Sequence, residues 1–297
     1  MDKTDIVYAY LDDVYGKIRR RNSFRKKIVY DKWGLGWDTQ QEGSYITVHP
    51  LTDLNRYKDY SFPDPNDDKL LITAKEIIKK YSNEYIVCSY QVLCLFERAW
   101  ALRGLENFLI DMINNRSFVE KLLDKITDYQ VSIAKRYVKL GVDCGRTGDD
   151  YGTQSGLMFS PNLWRELFKP RLKRIWEVYQ KAGIPIIHHS CGDVRSIIPD
   201  MIEMGLDILN PIQPEAMPLE ELSQYSKDIV FYGGLSSQKT LPYGTEEDIK
   251  QEIKKNIKLL GKNNGYIVSP SNGITSDVPI KNIKALLEGI KEYSIIN

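Results

Sequence analysis

The chain has 297 residues, enough for one large α/β domain or two small ones, and 42% of them are hydrophobic, so a sizeable core can form. Lys and Arg number 41 against 40 Asp and Glu, a formal net charge of +1 that argues against nucleic acid or a charged membrane surface as partner. No apolar run reaches a membrane span, the acidic opening "MDKTDIVYAYLDDVYG" does not read as a secretory signal, and Cys88, Cys94, Cys144 and Cys191 form no C-x-x-C pair. These features predict reduced thiols in a cytoplasmic protein.

The first stretch predicts a helix with a basic tail, "GKIRRRNSFRKK", which reads as a solvated face or a docking patch. Residues 1–28 form an N-terminal helical extension in this reading, and 29–297 the main domain. "IVYDKWGLGWD" and "SYITVHP" are short β-like runs, and "SFPDPNDDK" is a polar connector. From about residue 85 strands alternate with helices. "EYIVCSYQ" reads as a buried strand, followed by helices at "LENFLIDMI" and "SFVEKLLDKITDYQVSIAKRYVKL". In the latter, Phe118, Leu122, Ile126, Tyr129, Ile133 and Tyr137 recur every three or four residues and predict one buried stripe. "GVDCGRTGDD" is a strand with its exit loop. The next helix, "SPNLWRELFKPRLKRIWEVYQKAG", has Ser160 as a cap, Pro161 in its first turn and Pro170 as a predicted kink.

The rhythm continues through strands at "IPIIHHS", "DILNPIQ", "DIVFYGGLS" and "GYIVSPSNG". Between and after them come helices at "IIPDMIEMG", "PLEELSQY", "GTEEDIKQEIKKNIKLLG" and "PIKNIKALLEGIKEY". Such alternation demands parallel strands with right-handed crossovers. With no G-x-G-x-x-G after a strand, the expected fold is α/β: a (β/α)8 TIM barrel with an N-terminal helical/β extension.

In such a barrel the active site lies at the C-terminal ends of the strands. Those ends deliver Tyr90-Gln91; Asp149-Asp150-Tyr151 with Gln154; His189-Ser190-Cys191; Asn210 and Gln213; Gly233-Gly234 with Ser236 and Gln238; and Ser271-Asn272. Buried polar groups are costly unless satisfied, so their concentration on one rim suggests ligand contact. Tyr151, Gln154, Asn210, Gln213, Ser236, Gln238 and Asn272 are the substrate-binding candidates. Trp33 and Trp37 flank "GLG"; core packing is one reading, and a stacking platform, with Trp37 against substrate, is the other.

His189 and Cys191 stand two apart, a spacing that puts both side chains on one face of a strand. Imidazole and thiolate are good zinc ligands, but zinc usually takes at least three protein ligands, so His-x-Cys alone leaves a core histidine and a small apolar thiol as the competing reading. Asp149 and Asp150 are adjacent and would point to opposite sides of extended backbone. One can be a general base or charge partner while the other braces the loop.

The segments "GDDYGTQSGLMFSPNLWRELFKPRLKRI", "HHSCGDVRSIIPDMIEMGLDILNPIQP", "YGGLSSQKTLPYGT" and "GYIVSPSNGITSDVPIKNIKAL", in that order, resemble the uroporphyrinogen decarboxylase superfamily, from about Trp33 to the C-terminus. The resemblance implies a (β/α)8 barrel and one of two activities. The founding decarboxylase grips substrate carboxylates with an arginine-rich motif near its N-terminus, and "RRRNSFRKK" has a different pattern. The other branch comprises zinc-linked methyltransferases that move a methyl group between a corrinoid protein and a thiol or another acceptor. Their zinc motif is His-x-Cys followed by a distant cysteine in a segment like "PGCG". His189 and Cys191 match its first two positions. "PSNG" matches the last, so Asn272 stands where the third ligand is expected, and a neutral amide oxygen is a poor zinc ligand. Cys144, Asp149 or Asp150 can substitute from a neighbouring strand end.

The resemblance therefore implies a methyltransferase with zinc on His189 and Cys191 and with His189, Asp149 and Asp150 as catalytic residues. The methylcorrinoid would be supplied by a partner protein, since the chain has no D-x-H-x-x-G cobalamin signature. The alternatives are a cofactor-independent decarboxylase acting on a carboxylated small molecule other than uroporphyrinogen, and a non-catalytic ligand-binding barrel.

Overall fold

The computed structural model describes residues 5–13, 17, 27–40, 45–263 and 265–293. In chain order its first elements are β1 (Ile6–Ala9), β2 (Ile28–Tyr30), β3 (Gly36–Asp38), β4 (Tyr45–Val48), α1 (Ile72–Tyr81), β5 (Ile86–Ser89) and β6 (Gln91–Val92). Then come α2 (Phe96–Arg103), α3 (Leu105–Asn114), α4 (Arg116–Leu140), β7 (Gly145–Gly148), β8 (Gly152–Thr153), β9 (Gly156–Leu157), α5 (Pro161–Leu167) and α6 (Lys169–Gln180). The chain continues with β10 (Ile186–His189), α7 (Ile198–Glu203), β11 (Ile208–Ile212), α8 (Leu219–Leu222) and β12 (Val230–Leu235). It closes with α9 (Thr240–Tyr243), α10 (Glu246–Leu260), β13 (Tyr266–Pro270) and α11 (Ile280–Tyr293). No helix among the described residues is long and apolar enough to cross a membrane.

Two compact units share these elements. The first holds the described residues up to 147 together with 163–184. Here β1 runs parallel to β5, pairing Ile6 with Ile86 through Ala9 with Ser89. Residues 6–9 are thus a strand where the sequence predicts a helix. The cause is non-local: β5 satisfies the backbone N–H and C=O groups that a helix would have satisfied locally. The basic run after Gly16 lies outside the described residues, apart from Lys17 and Lys27. Strands β2, β3 and β4 form an antiparallel sheet. The predicted stripe of α4 is real: Leu122, Ile126, Tyr129, Ile133 and Tyr137 are buried, and half-buried Phe118 packs its ring 5.2 Å from Tyr57. Tyr137 also donates its hydroxyl to Ala9 O at 2.6 Å, tying α4 to β1. Pro170 sits in the first turn of α6, so the proline that was expected to kink one helix instead opens a second.

The second unit holds 148–162 and the described residues from 185 onward. Strands β10, β11, β12 and β13 are neighbours in the sheet in the order they occur in the chain, and every pair is parallel. Each crossover carries at least one helix, the arrangement of a (β/α)-barrel-type α/β fold. A core of Leu235, Leu241, Ile249, Ile253, Val278, Ala285 and Leu286 joins β12 to α9, α10 and α11. Thr245 and Asp248 form a reciprocal capping box at the start of α10, with bonds of 2.8 and 3.2 Å. Asn282 on α11 donates to Leu241 O and Gly244 O at 2.8 and 3.0 Å, pinning the last helix to the end of α9. In a parallel sheet all C-terminal strand ends fall along one edge. His189, Ile212, Leu235 and Pro270 therefore end their strands side by side, and the loops that follow build the site.

Candidate active site

The site is built where Gly148–Tyr151 runs beside the end of β10, held by Asp149 N donating to His189 O at 2.9 Å. His188 and His189 face opposite ways, as strand alternation requires. His188 is fully buried, its ring stacked on Tyr151 with centroids 6.0 Å apart, whereas His189 is half-buried. His189 Nε2 lies 3.6 Å from Cys191 Sγ and 3.8 Å from Asp150 Oδ1. One ligand atom from each of Asp150, His189 and Cys191 lies within 4.8 Å of the other two. Asp150 Oδ1 also accepts the Cys191 N–H at 2.8 Å, which fixes the carboxylate against the loop that carries the thiol.

The other imidazole nitrogen is held from behind. In the sheet register Asn210 on β11 stands opposite His189, and its Oδ1 lies 2.7 Å from Nδ1. Asn210 Nδ2 donates to Tyr232 O at 3.5 Å, which leaves the amide oxygen to face the ring. Nδ1 therefore carries the hydrogen and Nε2 presents its lone pair towards Cys191 and Asp150. This is the orientation that a metal-binding histidine takes when its second nitrogen is tied to a neighbour.

Cys191 lies just past the last residue of β10, so its approach to His189 depends on the loop rather than on the strand pleat. Two glycines make that loop possible. Gly152 N donates to Cys191 O at 3.2 Å, and Asp193 N to Thr153 O at 2.7 Å. A Cβ on Gly192 would stand 2.3 Å from Gly152 C, and Gly192 has φ +82°, so the two backbones pass at a distance only glycine allows. Gly192 N donates to Gln213 Oε1, and Tyr151 N to Ser190 Oγ at 3.2 Å. Beyond the turn, Arg195 grips Asp193 through Nε and Nη2 at 3.0 and 2.7 Å. That hydrogen bonding holds the Asp193 carboxyl below the ordinary range, with burial working against it.

The predicted residues divide into three groups. Asp150, His189 and Cys191 come together. Tyr151, Asn210, Gln213 and Ser236 are buried and make bonds within the protein: Tyr151 O–H to Asp149 Oδ2 at 3.2 Å, Asn210 to His189, Gln213 to Gly192, and Ser236 Oγ to Glu215. Asp149 is fully buried and braces the loop, while Asp150 takes the position beside the imidazole. Gln154, Gln238 and Asn272 are exposed, and Asn272 Oδ1 accepts from Gly273 N at 2.7 Å. Trp37 belongs to the other unit, where it is buried in β3 with its indole N–H on Asp31 Oδ2 at 3.0 Å. The bracing roles of Asn210, Gln213 and Ser190 escaped the sequence, because a polar residue at a strand end has the same signature whether it meets a ligand or a loop.

An imidazole nitrogen, a thiol sulfur and a carboxylate oxygen form a donor set that suits zinc, and the Asn210 bond supplies the outer support. The residues present therefore fit the metal, with Asp150 beside the His-x-Cys pair.

Parallel strands crossed by helices, with a titratable cluster at the strand ends, define an enzyme-like α/β protein of the barrel type. The sequence matches the family model for "Uroporphyrinogen decarboxylase (URO-D)" over residues 29–293, and the chain belongs to that family. Among curated relatives it is 24% identical to the methylcobamide:CoM methyltransferase MtbA of Methanosarcina acetivorans over 259 residues, covering 86% of this chain and 73% of that protein. It is 25% identical to the uroporphyrinogen decarboxylase of Thermus thermophilus over 184 residues, 62% of this chain and 51% of the relative. Among solved structures it resembles a methyltransferase from Methanosarcina mazei with a TM-score of 0.71 and 23% identity, over 88% of this chain and 76% of that one.

Proposed function

We propose that this chain transfers a methyl group between a corrinoid carried by a partner protein and a thiol or other small acceptor, with zinc held by Asp150, His189 and Cys191. The observation that carries the reading is the convergence of those three side chains within 4.8 Å at the end of β10. A decarboxylase that works without a cofactor has no need of a thiol beside an imidazole. The relative covered over the larger share of this chain is named for a methylated cobamide donor and the thiol CoM, which supports the same reading.

Zinc bound there supplies a Lewis acid that lowers the pKa of an acceptor thiol, so that the thiolate nucleophile exists at neutral pH. The protein's own residues prepare for it. Asn210 fixes the His189 tautomer, Asp150 adds negative charge while locking the Cys191 backbone, and the Gly152–Gly192 crossing holds the thiol near the ring. His189 and Cys191 are half-buried, so an acceptor can reach them.

The test is methylcobalamin incubated with the zinc-loaded protein and a panel of thiols, followed through the visible spectrum of the cobalt product. The expected result is thiol-dependent demethylation that falls at least a hundredfold in Cys191→Ser and His189→Ala, on the order of the loss of a transition-state contact of about 3 kcal/mol. Carbon dioxide release from carboxylated substrates, with no demethylation by any thiol, would contradict the reading and support the decarboxylase alternative.

A further inference from the structure

Ser236 follows the last residue of β12, and each of its polar groups is in use. Its N–H donates to Glu252 Oε1 at 2.9 Å, and its hydroxyl donates to Glu215 Oε1. The same Oγ accepts from Lys239 N at 2.9 Å and Thr240 N at 3.4 Å, and its carbonyl accepts from Leu241 N at 2.9 Å. Beside it, Ser237 N donates to Ser271 Oγ at 3.2 Å, which ties this loop to the end of β13. One residue thus sets the turn from β12 into α9, and two carboxyl groups from different elements hold it. Glu215 comes from the loop after β11 and Glu252 from α10. Glu215 also lies two residues beyond Gln213, whose Oε1 accepts from Gly192 N beside Cys191.

Each carboxyl group spends one oxygen on Ser236. The second oxygens, Glu215 Oε2 and Glu252 Oε2, are buried and have no hydrogen-bond partner. Hydrogen bonds from Thr240 and Ser236 and the Lys255 charge favour an ionised Glu252, while burial and the Glu215 charge oppose it. Lys255 is itself engaged by Glu220 at 2.8 Å. On the β13 side, burial keeps the Tyr266 phenol protonated, and its hydroxyl donates to Gly233 O. Lys239 and Asp248 line an open hollow with Glu252. A carboxylate only accepts, so neither inner oxygen can satisfy the other while both groups are ionised. Two like charges held on one residue in partly dry surroundings also repel. A single proton removes both penalties: it cancels one charge and supplies the missing donor.

We infer that Glu215 and Glu252 hold one proton between their inner oxygens and form an acid latch on the β12–α9 loop, closed while the proton is present and loosened when it passes to water. The Glu252 pKa is raised above the usual glutamate value, chiefly by burial. The latch is therefore complete below the ordinary carboxylate range and is lost as pH climbs through the raised value. The inference needs neither zinc nor methyl transfer, so it and the proposed function can fail separately.

Two measurements on the intact chain test it. The first follows the infrared carbonyl stretch of protonated carboxyl groups as the pH is raised. The expected result is a carboxyl that ionises above the ordinary range in the wild type and is absent in Glu252→Gln. In Glu215→Gln, which removes the neighbouring charge and keeps an acceptor, that band should vanish at a lower pH. The second is amide hydrogen exchange at Lys239, whose N–H is held by Ser236 Oγ, corrected for the intrinsic rate. Between the ordinary and the raised value, protection should fall by up to about tenfold per pH unit in the wild type and stay level in Glu252→Gln. The wild-type readings stand on their own if a variant fails to fold. No late-ionising carboxyl in the wild type, a late band that survives in Glu252→Gln or does not move in Glu215→Gln, or level wild-type protection at Lys239 across that range would overturn the latch.

Discussion

His189 is useful only in one tautomer and one orientation, and a single neighbour sets both. Asn210 accepts from Nδ1 at 2.7 Å and is itself oriented by Tyr232 O. Removing that acceptor by Asn210→Ala should lower zinc affinity by about 10–100-fold, the usual cost of losing an outer partner of a metal-binding histidine. Asn210→Asp, which keeps an acceptor, should lose far less. Competition with a chromogenic chelator measures both, and equal affinity in Asn210→Ala and the wild type would deny the role. At this scale the sequence was partly legible. His189 and Cys191 are readable because a thiol two residues from an imidazole is an uncommon pairing. Asp150 was readable only as half of an ambiguous pair, since which of two adjacent carboxylates faces the imidazole depends on how the β7 loop lies against β10. Asn210 and Ser236 read as ligand contacts, yet their bonds are to His189 and Glu215, because the need to satisfy buried polar atoms shapes a rim as strongly as any substrate does.

Among the elements, those whose pattern repeats locally were legible and those fixed by distant partners were not. The stripe of α4 and the four consecutive strands β10 to β13 follow from spacing that a short window contains. Strand β1 exists because β5 lies beside it, and nothing within "DIVYAY" announces that. The middle of α10 also carries a pH prediction through the loop it faces. Glu252 Oε1 accepts from Ser236 N at 2.9 Å, while Oε2 is buried without a hydrogen-bond partner. Burial, opposed by hydrogen bonds from Thr240 and Ser236 and reinforced by the nearby Glu215 charge, raises the Glu252 pKa above the usual glutamate value. A raised folded-state pKa means that this group's contribution to stability is complete below the ordinary carboxylate range and is lost as pH climbs through the raised value. Glu252→Gln, which can still accept from Ser236, should therefore melt higher than the wild type at pH 8, with that gain disappearing near pH 4. Thermal melts at the two pH values check the sign, and a constant difference would contradict it.

At the scale of the whole chain, family membership over residues 29–293 and the α/β class agree with the strand–helix rhythm that the sequence announces from about residue 85 onward. The family alone does not choose a reaction, since both methyltransferases and decarboxylases are among the relatives at about a quarter identity. The choice rests on the trio at the end of β10, and metal content tests that most directly. The account predicts about one zinc per chain after reconstitution and exhaustive dialysis, and none in a folded Cys191→Ser, His189→Ala double variant. A wild-type protein that retains no zinc, or a double variant that retains as much as the wild type, would contradict it.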